Sequence, residues 1–488
     1  MPRPLGLSRD NLPEEGISVR KTKIVCTIGP ASEEYHIIAG LLDAGMNVAR
    51  LNFSHGTYDE QLLRLGRLRD VAKEKGKTLA IMQDIQGPKI RIGNMPGKVM
   101  LENGDSFVLT TEECEGSSEK AHVGYNRLPQ DVGPGNVIYL DDGLLELQVR
   151  KVEGNEVHCQ VLVGGELSSR KGLSLPGVTV DLPPVTDADI RDIHFGIEQG
   201  VDMIAASFVR SAEGIETVRE IIRGAGADIP IIAKIESHEG VANIDEIIAA
   251  ADGIMVARGD MGVEMQPEEV PFIQKMIIHK CNVAGKPVIT ATQMLDSMVR
   301  NARPTRAEVT DVASAILDGT DAVMLSGETA VGRYPVQSVA MMSRIGQRAE
   351  RALSGYQITE TEQFNGDHSI AEAISYATWQ TAKDVGATAI ICATQSGATA
   401  RMVSRYRPQV PILAMTPHEN VVRQLALVWG VCPILVPETH DIDDMLDVSI
   451  DAALHTGLVC RGDVVAISAG VMTDVPGSTN LLQVYRVE

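Results

Sequence analysis

The chain of 488 residues has no two cysteines spaced to share a metal ion or to set up a disulfide framework: Cys26, Cys114, Cys159, Cys281, Cys392, Cys432 and Cys460 are odd in number, far apart and without a CxxC pair. A structural zinc site and a disulfide-stapled fold are therefore not expected, and a reducing cytoplasm fits. No apolar run approaches the roughly 18 residues of a membrane span, and the opening MPRPLGLSRDNLPEEG lacks the apolar core of a signal peptide. A soluble, unexported protein without a membrane partner is expected. Positive charge is also scarce, with 44 Lys and Arg against 65 Asp and Glu for a net −21, so a broad nucleic-acid footprint is not expected. Any anionic ligand must be held locally. What the chain does have is 44% hydrophobic against 22% charged residues, enough for several buried cores in about three domains.

From residue 22 short apolar runs alternate with amphipathic stretches: KIVCTIG, EEYHIIAGLLDAG, NVARLNFS, YDEQLLRLGRLRDVAKEKG and TLAIMQDI read as βαβαβ. After IQGPKIRIG the texture becomes Gly-punctuated and alternating, with no helix expected until TDADIRDIHFGIEQG. The alternation then resumes through DMIAASFV, PIIAKIE, GIMVARGD, PVITATQ and AVMLS. Three strands before the insertion and five after it match a (βα)8 TIM barrel, with an open doubly wound sheet as the alternative. The expected organisation is an N-terminal segment (1–17), a catalytic barrel (18–87 and 184–353), an inserted small β-barrel lid domain (88–183) and a C-terminal open α/β regulatory domain (354–488), entered through the polar linker SGYQITETEQFNGDHS.

In a (βα)8 barrel, chemistry sits at the C-terminal strand ends. Those ends are unusually polar here: Arg50, Asn52 and Ser54; Asp84; Ser207; Lys234 and Glu236; Arg258 and Asp260; Thr292; Ser326 and Glu328. Glu236 and Asp260 end consecutive strands and suit a Mg2+ or Mn2+ ion; the alternative is a pair of salt-bridged carboxylates. Lys234, two residues before Glu236, places an ammonium where it can stabilise an enolate or a transferring phosphoryl group. Arg50 and Arg91 offer planar forks for a phosphate. Gly259 beside Asp260, followed by Met261 and Gly262, suggests close backbone approach to a ligand, with N–H groups at the start of the following helix. Thr394, Ser396, Gly397, Ala398 and Thr399 form a small-residue turn that is either a phosphate cradle or an ordinary helix cap.

Together TKIVCTIGPAS, MNVARLNFSHG, DIQGPKIRIG, KGLSLPG, KIESHEG, MVARGDMG, ITATQMLDSM, PTRAEVTDVA and DAVMLSGETA resemble the pyruvate kinase family, in the family's order and over essentially the whole chain from about Arg20. The resemblance implies phosphoryl transfer between phosphoenolpyruvate and ADP, giving pyruvate and ATP. It implies Glu236 and Asp260 as ligands of a divalent metal, with a second metal accompanying the nucleotide. Lys234 then lies beside the phosphoryl group and enolate oxygen, Arg50 binds the phosphate, and Thr292 with Ser326 belongs to the region that protonates the enolate carbon. Gly259 joins Arg50, Lys234, Asp260 and Thr292 in substrate binding, while Asn52, His55, Arg91 and Lys171 resemble nucleotide contacts. The family's inserted domain closes as a lid, its members are usually homotetramers, and the Thr394–Thr399 turn resembles the start of a site for a phosphorylated allosteric effector. The chain ends soon after the third domain, so the phosphohistidine-type extension of some bacterial members is expected to be missing.

One departure stands out. Many members carry Thr after the third-strand Asp and Glu after GP, forming a potassium site. Here Asn52, Ser54, Asp84 and the Ile85 carbonyl are the equivalents, the Thr hydroxyl is lost, and Lys89 replaces the Glu. Close in sequence to Asp84, its ammonium is expected to occupy the space where other members hold potassium, so K+ is expected to be dispensable. Two other functions remain open at this point: a metal-dependent barrel lyase or aldolase acting on a pyruvate enolate, which needs no lid or nucleotide, and a catalytically silent metabolite sensor using the third domain.

Overall fold

The computed structural model describes residues 20–353, 369–470 and 479–488. The expected N-terminal segment and residues 354–368 of the polar linker lie outside them. Strands β1 (Lys23–Thr27), β2 (Val48–Asn52) and β3 (Ala80–Asp84) precede the insertion. Within it lie β4 (Val99–Leu101), β5 (Ser106–Thr110), β6 (Lys120–His122), β7 (Val137–Leu140), β8 (Leu145–Glu153), β9 (Glu156–Val163), β10 (Gly165–Leu167) and β11 (Leu173–Ser174). After it come β12 (Met203–Ala206), β13 (Ile231–Ile235), β14 (Gly253–Ala257), β15 (Val288–Ala291) and β16 (Ala322–Leu325). The C-terminal sheet contributes β17 (Ala389–Ala393), β18 (Ile412–Thr416), β19 (Val431–Leu435), β20 (Val464–Ala469) and β21 (Leu481–Arg486).

β1, β2, β3 and β12 to β16 close a barrel in chain order, as the count of three strands and five requires. Sequences such as KIVCT and IIAKI are buried at every residue, which is why these strands read as continuous apolar runs rather than alternating ones. Helices between them start on reciprocal caps: Thr57 with Glu60 and Thr305 with Glu308 each satisfy two backbone donors that the first turn leaves open.

The insertion folds as a six-stranded sheet, β11-β7-β8-β9-β5-β6, with a two-stranded ribbon, β10-β4, around a core that includes Phe107, Leu109, Ile138, Leu147 and Val157. It also contains a helix, Leu128–Asp131, where the sequence reading expected none. A single turn is too short to carry a helical period, and Pro129 at its start is the one local cue. The C-terminal sheet runs β19-β18-β17-β20-β21, parallel except for β21, which pairs antiparallel with β20.

Two compact units divide the chain by contact density. One runs up to Gln83 and includes Gln199–Met203 and Ile278–Glu488; the other comprises Asp84–Glu198 and Ile204–Ile277. A repeated device sets strand register at the N-terminal end of the barrel. Asp202, Asp252 and Asp321 each immediately precede a strand, and each accepts from a backbone N–H on the strand before it: Ile81 (2.7 Å), Ile231 (2.9 Å) and Val288 (3.1 Å). Two of the three also take an arginine from the C-terminal α/β region. Arg423 pairs with Asp202 at 2.6 Å and Arg407 with Asp321 at 2.9 Å.

Candidate active site

Within the second unit, Lys234 leaves an apolar strand with its side chain only 10% exposed. Its ammonium donates to Ser207 Oγ at 2.5 Å and Asp84 Oδ1 at 3.1 Å, and lies 3.2 Å from Glu236 Oε1. The Ser207 hydroxyl in turn donates to the Ile85 carbonyl at 2.7 Å. Glu236 is buried and accepts from Phe208 N–H at 2.6 Å, a bond made possible by the left-handed backbone of Phe208 (φ 54°). Gly87, also left-handed (φ 70°), is required because a Cβ there would lie 2.7 Å from the Ser207 carbonyl oxygen. The predicted residues Asp84, Ile85, Ser207, Lys234 and Glu236 are thus brought together.

Burial pushes the Glu236 carboxyl up to about 7; Lys234 opposes this, while the Asp260 and Asp84 carboxylates add to the rise. Such a site is short of positive charge even with one ammonium present. A hard divalent cation held by one or two carboxylates, with substrate oxygens completing its shell, suits that deficit. The donors that Glu236 and Asp260 offer are carboxylate oxygens, the ligand type a hard Mg2+-type ion takes. Asp260 lies in the first turn of the helix Arg258–Glu264. That helix begins one residue before Gly259, so Gly259 belongs to its first turn rather than to a loop preceding it.

Lys89 does not reach toward Asp84 but toward Asp260. Its ammonium is 3.1 Å from Asp260 Oδ1 and 3.1 Å from Asp142 Oδ1, over the Phe208 ring at 5.9 Å. Burial alone would lower this ammonium, yet the two carboxylates raise it above its ordinary value, so it stays charged. Lys171 pairs with Asp141 at 2.8 Å and Arg91 donates to the Arg170 carbonyl at 3.1 Å, while Arg91 and Gly172 form a β-bridge. The two borders of the insertion therefore run side by side. Asp141 and Asp142, adjacent left-handed residues (φ 52° and 53°) followed by Gly143, were not singled out from the sequence, although Asp-Asp-Gly is itself a turn signal.

In the first unit, Arg50 is buried and donates to Thr27 Oγ1 at 2.9 Å, which itself donates to the Leu325 carbonyl. Asn52 Oδ1 accepts from Ser54 N–H at 3.1 Å, and its carbonyl accepts from His55 N–H at 3.3 Å. Thr292 and Gln293 are both left-handed (φ 68° and 54°), uncommon for side chains of this kind and a mark of functional loops. Ser326 Oγ is buried without a hydrogen-bond partner. Its backbone is fixed by Glu328, whose carboxylate accepts from Ser326 N–H (2.8 Å) and Leu295 N–H (2.9 Å). Glu328 thus ties the loop after β15 to the loop after β16, a bridging role that spacing alone does not show.

Comparison with known proteins decides the family. Residues 19–339 match the model "Pyruvate kinase, barrel domain" and residues 372–485 match "Pyruvate kinase, alpha/beta domain". The chain belongs to the pyruvate kinase family. A pyruvate kinase of Geobacillus stearothermophilus is 53% identical over 472 residues, 96% of this chain and 80% of that protein. One of Staphylococcus epidermidis is 49% identical over 96% of this chain and 81% of its own length. Among solved structures, a pyruvate kinase of Cryptosporidium parvum superposes with a TM-score of 0.89 at 39% identity, covering 96% of both chains. The pyruvate kinase family generally uses a divalent metal, in keeping with the carboxylates at β13 and β14.

In the C-terminal region, Gly397 (φ 79°) donates its N–H to Thr394 Oγ1 at 2.9 Å, and Thr399 Oγ1 lies 2.7 Å from Thr479 Oγ1. The Ser396 carbonyl accepts from Arg401 at 2.8 Å. The turn that sequence singled out is thus built as a tight loop opening the helix Ala398–Ser404. Among the described residues no helix is long and apolar enough to cross a membrane.

Proposed function

We infer that the protein transfers the phosphoryl group of phosphoenolpyruvate to ADP, giving pyruvate and ATP as the last step of glycolysis, in the cytoplasm. The observation that carries the mechanism is the Lys234 ammonium gathered with Asp84, Ser207 and Glu236 at the end of β13. In this reading Lys234 holds the bridging oxygen as negative charge develops on the enolate, and Arg50 holds the phosphate. Glu236 and Asp260 would hold the divalent ion, which when bound would supply Lewis-acid neutralisation of developing negative charge. Gly259 contributes backbone to the substrate. Thr292 and Ser326 serve carbon protonation; the orphaned Ser326 hydroxyl supports this, because a buried hydroxyl without a partner marks a place for substrate or water. Asn52, His55, Arg91 and Lys171 bind the nucleotide. The inserted domain (88–183) acts as a lid that excludes water during transfer, with the barrel (18–87 and 184–353) and regulatory domain (354–488) as the other parts.

A coupled assay of pyruvate formation tests the reading. Pyruvate should appear only when phosphoenolpyruvate, ADP and Mg2+ are all present. Product without ADP would indicate lyase-type chemistry, and no product under any of these conditions would indicate a sensor.

The active protein is proposed to be a homotetramer that needs no potassium. Ile85 provides no hydroxyl for a monovalent ion, and Lys89 stands where many members carry the glutamate of the potassium site, placing a cation there in its stead. Exchanging K+ for a bulky organic cation at constant ionic strength should leave turnover largely unchanged. Strong activation by K+ would refute this, and would make Asn52, Ser54, Asp84 and the Ile85 carbonyl a working cation site.

The loop Thr394, Ser396, Gly397, Ala398 and Thr399 is proposed to hold the phosphate of an allosteric effector. Ser396→Asp should abolish the response to the effector found by screening sugar phosphates and nucleotides, because like charge repels the phosphate. Turnover without effector should be nearly unchanged. A parent-like response would place the cradle elsewhere.

A further inference from the structure

The sequence brings Lys89 out of the barrel one residue after a proline, and the lid returns beside it. Its side chain lies across Gly172, where a Cβ would come within 2.7 Å of Lys89 Cε. A side chain there would push the Lys89 stem aside. At its far end it meets one carboxylate from each side: Asp260, on the helix Arg258–Glu264, and Asp142, in the left-handed turn of the lid. That turn rests against the same helix, since a Cβ on Gly143 would lie 3.7 Å from Val263 Cγ1. One cation is thus shared between a lid turn and a carboxylate read as a metal ligand.

We propose that Lys89 is the resident counter-ion of Asp260 that a divalent cation must displace, and that Asp142 is the positioning residue that receives the displaced ammonium. This rests on reading Glu236 and Asp260 as metal ligands. The physical reason is competition. An ammonium at 3.1 Å and a divalent ion cannot both make close contact with one carboxylate oxygen, and like charges at such range repel. With Asp142 on its other side at 3.1 Å, the ammonium gives up Asp260 without being left unpaired. Asp142 therefore lowers the cost of metal entry through Lys89, although it touches neither metal nor substrate. The lid turn and the metal site become thermodynamically linked, because anything that moves the turn alters how firmly Lys89 holds Asp260.

Binding of Mn2+ in the absence of substrates, read from the free-ion electron paramagnetic resonance signal, tests this apart from turnover. Lys89→Met should tighten Mn2+ by roughly three- to tenfold, since a competing charge is gone. Asp142→Asn, which keeps the left-handed turn because Asn tolerates it, should weaken Mn2+ by roughly two- to threefold. In the Lys89→Met background, Asp142→Asn should change Mn2+ affinity by no more than about 1.5-fold, because its effect passes through Lys89. Parent-like or weaker binding in Lys89→Met overturns the counter-ion role. An equal effect of Asp142→Asn in both backgrounds overturns the positioning role. The double variant Glu236→Gln with Asp260→Asn separates the two levels. If it binds Mn2+ like the parent, the metal-site reading fails; if it loses Mn2+ while Lys89→Met leaves affinity unchanged, only the counter-ion proposal fails.

Discussion

Lys234→Met should fold and lose turnover by on the order of 10²- to 10³-fold or more, the usual consequence of removing one preorganised charge at a developing oxyanion. Methionine keeps the length and apolar stem of the side chain, so β13 retains its packing. What it removes is the common partner of Asp84 (3.1 Å), Ser207 (2.5 Å) and Glu236 (3.2 Å). Leaving a buried carboxylate unpaired typically costs about 3–5 kcal/mol of stability. Here the cost should be smaller, because the Glu236 carboxyl already lies near 7 and rises further once the opposing ammonium is gone. It then takes up a proton at neutral pH instead of remaining a bare charge. Unchanged circular dichroism with a collapsed turnover is the expected pair of results. Parent-like turnover in a folded variant would remove Lys234 from the mechanism.

The barrel was legible because its strands are buried on both faces and spell themselves as unbroken apolar runs, each followed by a helical stretch with capping residues. The strand ends were legible for the same reason. A lysine closing IIAK, or an aspartate after MVARG, interrupts an apolar run where only a functional rim tolerates it. The helix Leu128–Asp131 was not legible, because a single turn has no period to detect.

Partnerships across long sequence separations were harder to read. The spacing of Lys89 to Asp84 suggested that the ammonium serves the third strand, but its partners are 53 and 171 residues away, at Asp142 and Asp260. That choice is made by the antiparallel return of the inserted domain, with Ile92 N–H donating to the Lys171 carbonyl and Leu173 N–H to the Ile90 carbonyl. Gly172 clears the path. Glu328 was visible as a polar strand-end residue, but its bonds to Ser326 and Leu295 depend on how two successive loops meet. Composition and periodicity describe one element at a time. Such bridges belong to pairs of elements.

The other large expected effect lies far from the chemistry, at Arg407. Its side chain is 8% exposed and that of Asp321 is 6% exposed. The guanidinium donates to Asp321 Oδ1 (2.9 Å) and Oδ2 (3.1 Å), to Asn282 Oδ1 (2.6 Å) and to the Gly319 carbonyl (2.7 Å), and lies over the Trp429 ring at 5.0 Å. Arg407→Met should destabilise the protein by about 3–5 kcal/mol, because Asp321 would keep its buried charge with, among the described residues, the N–H groups of Val288 and Trp429 and the field of the Lys23 ammonium to answer it. In a chain of this size that corresponds to a fall in melting temperature of roughly 3–5 °C. Combining Arg407→Met with Asp321→Asn should recover most of the loss: the amide still accepts from Val288 N–H, and no unpaired charge remains. This recovery separates charge from packing. If the loss came from missing contacts with Asn282 and Trp429, the double variant would melt no higher than the single one. Arg407 also holds a left-handed backbone (φ 50°), so Arg407→Gly, which relieves that conformation yet deletes the guanidinium, should remain well below the parent. A glycine variant as stable as the parent would show that backbone strain, rather than the ion pair, dominates this site.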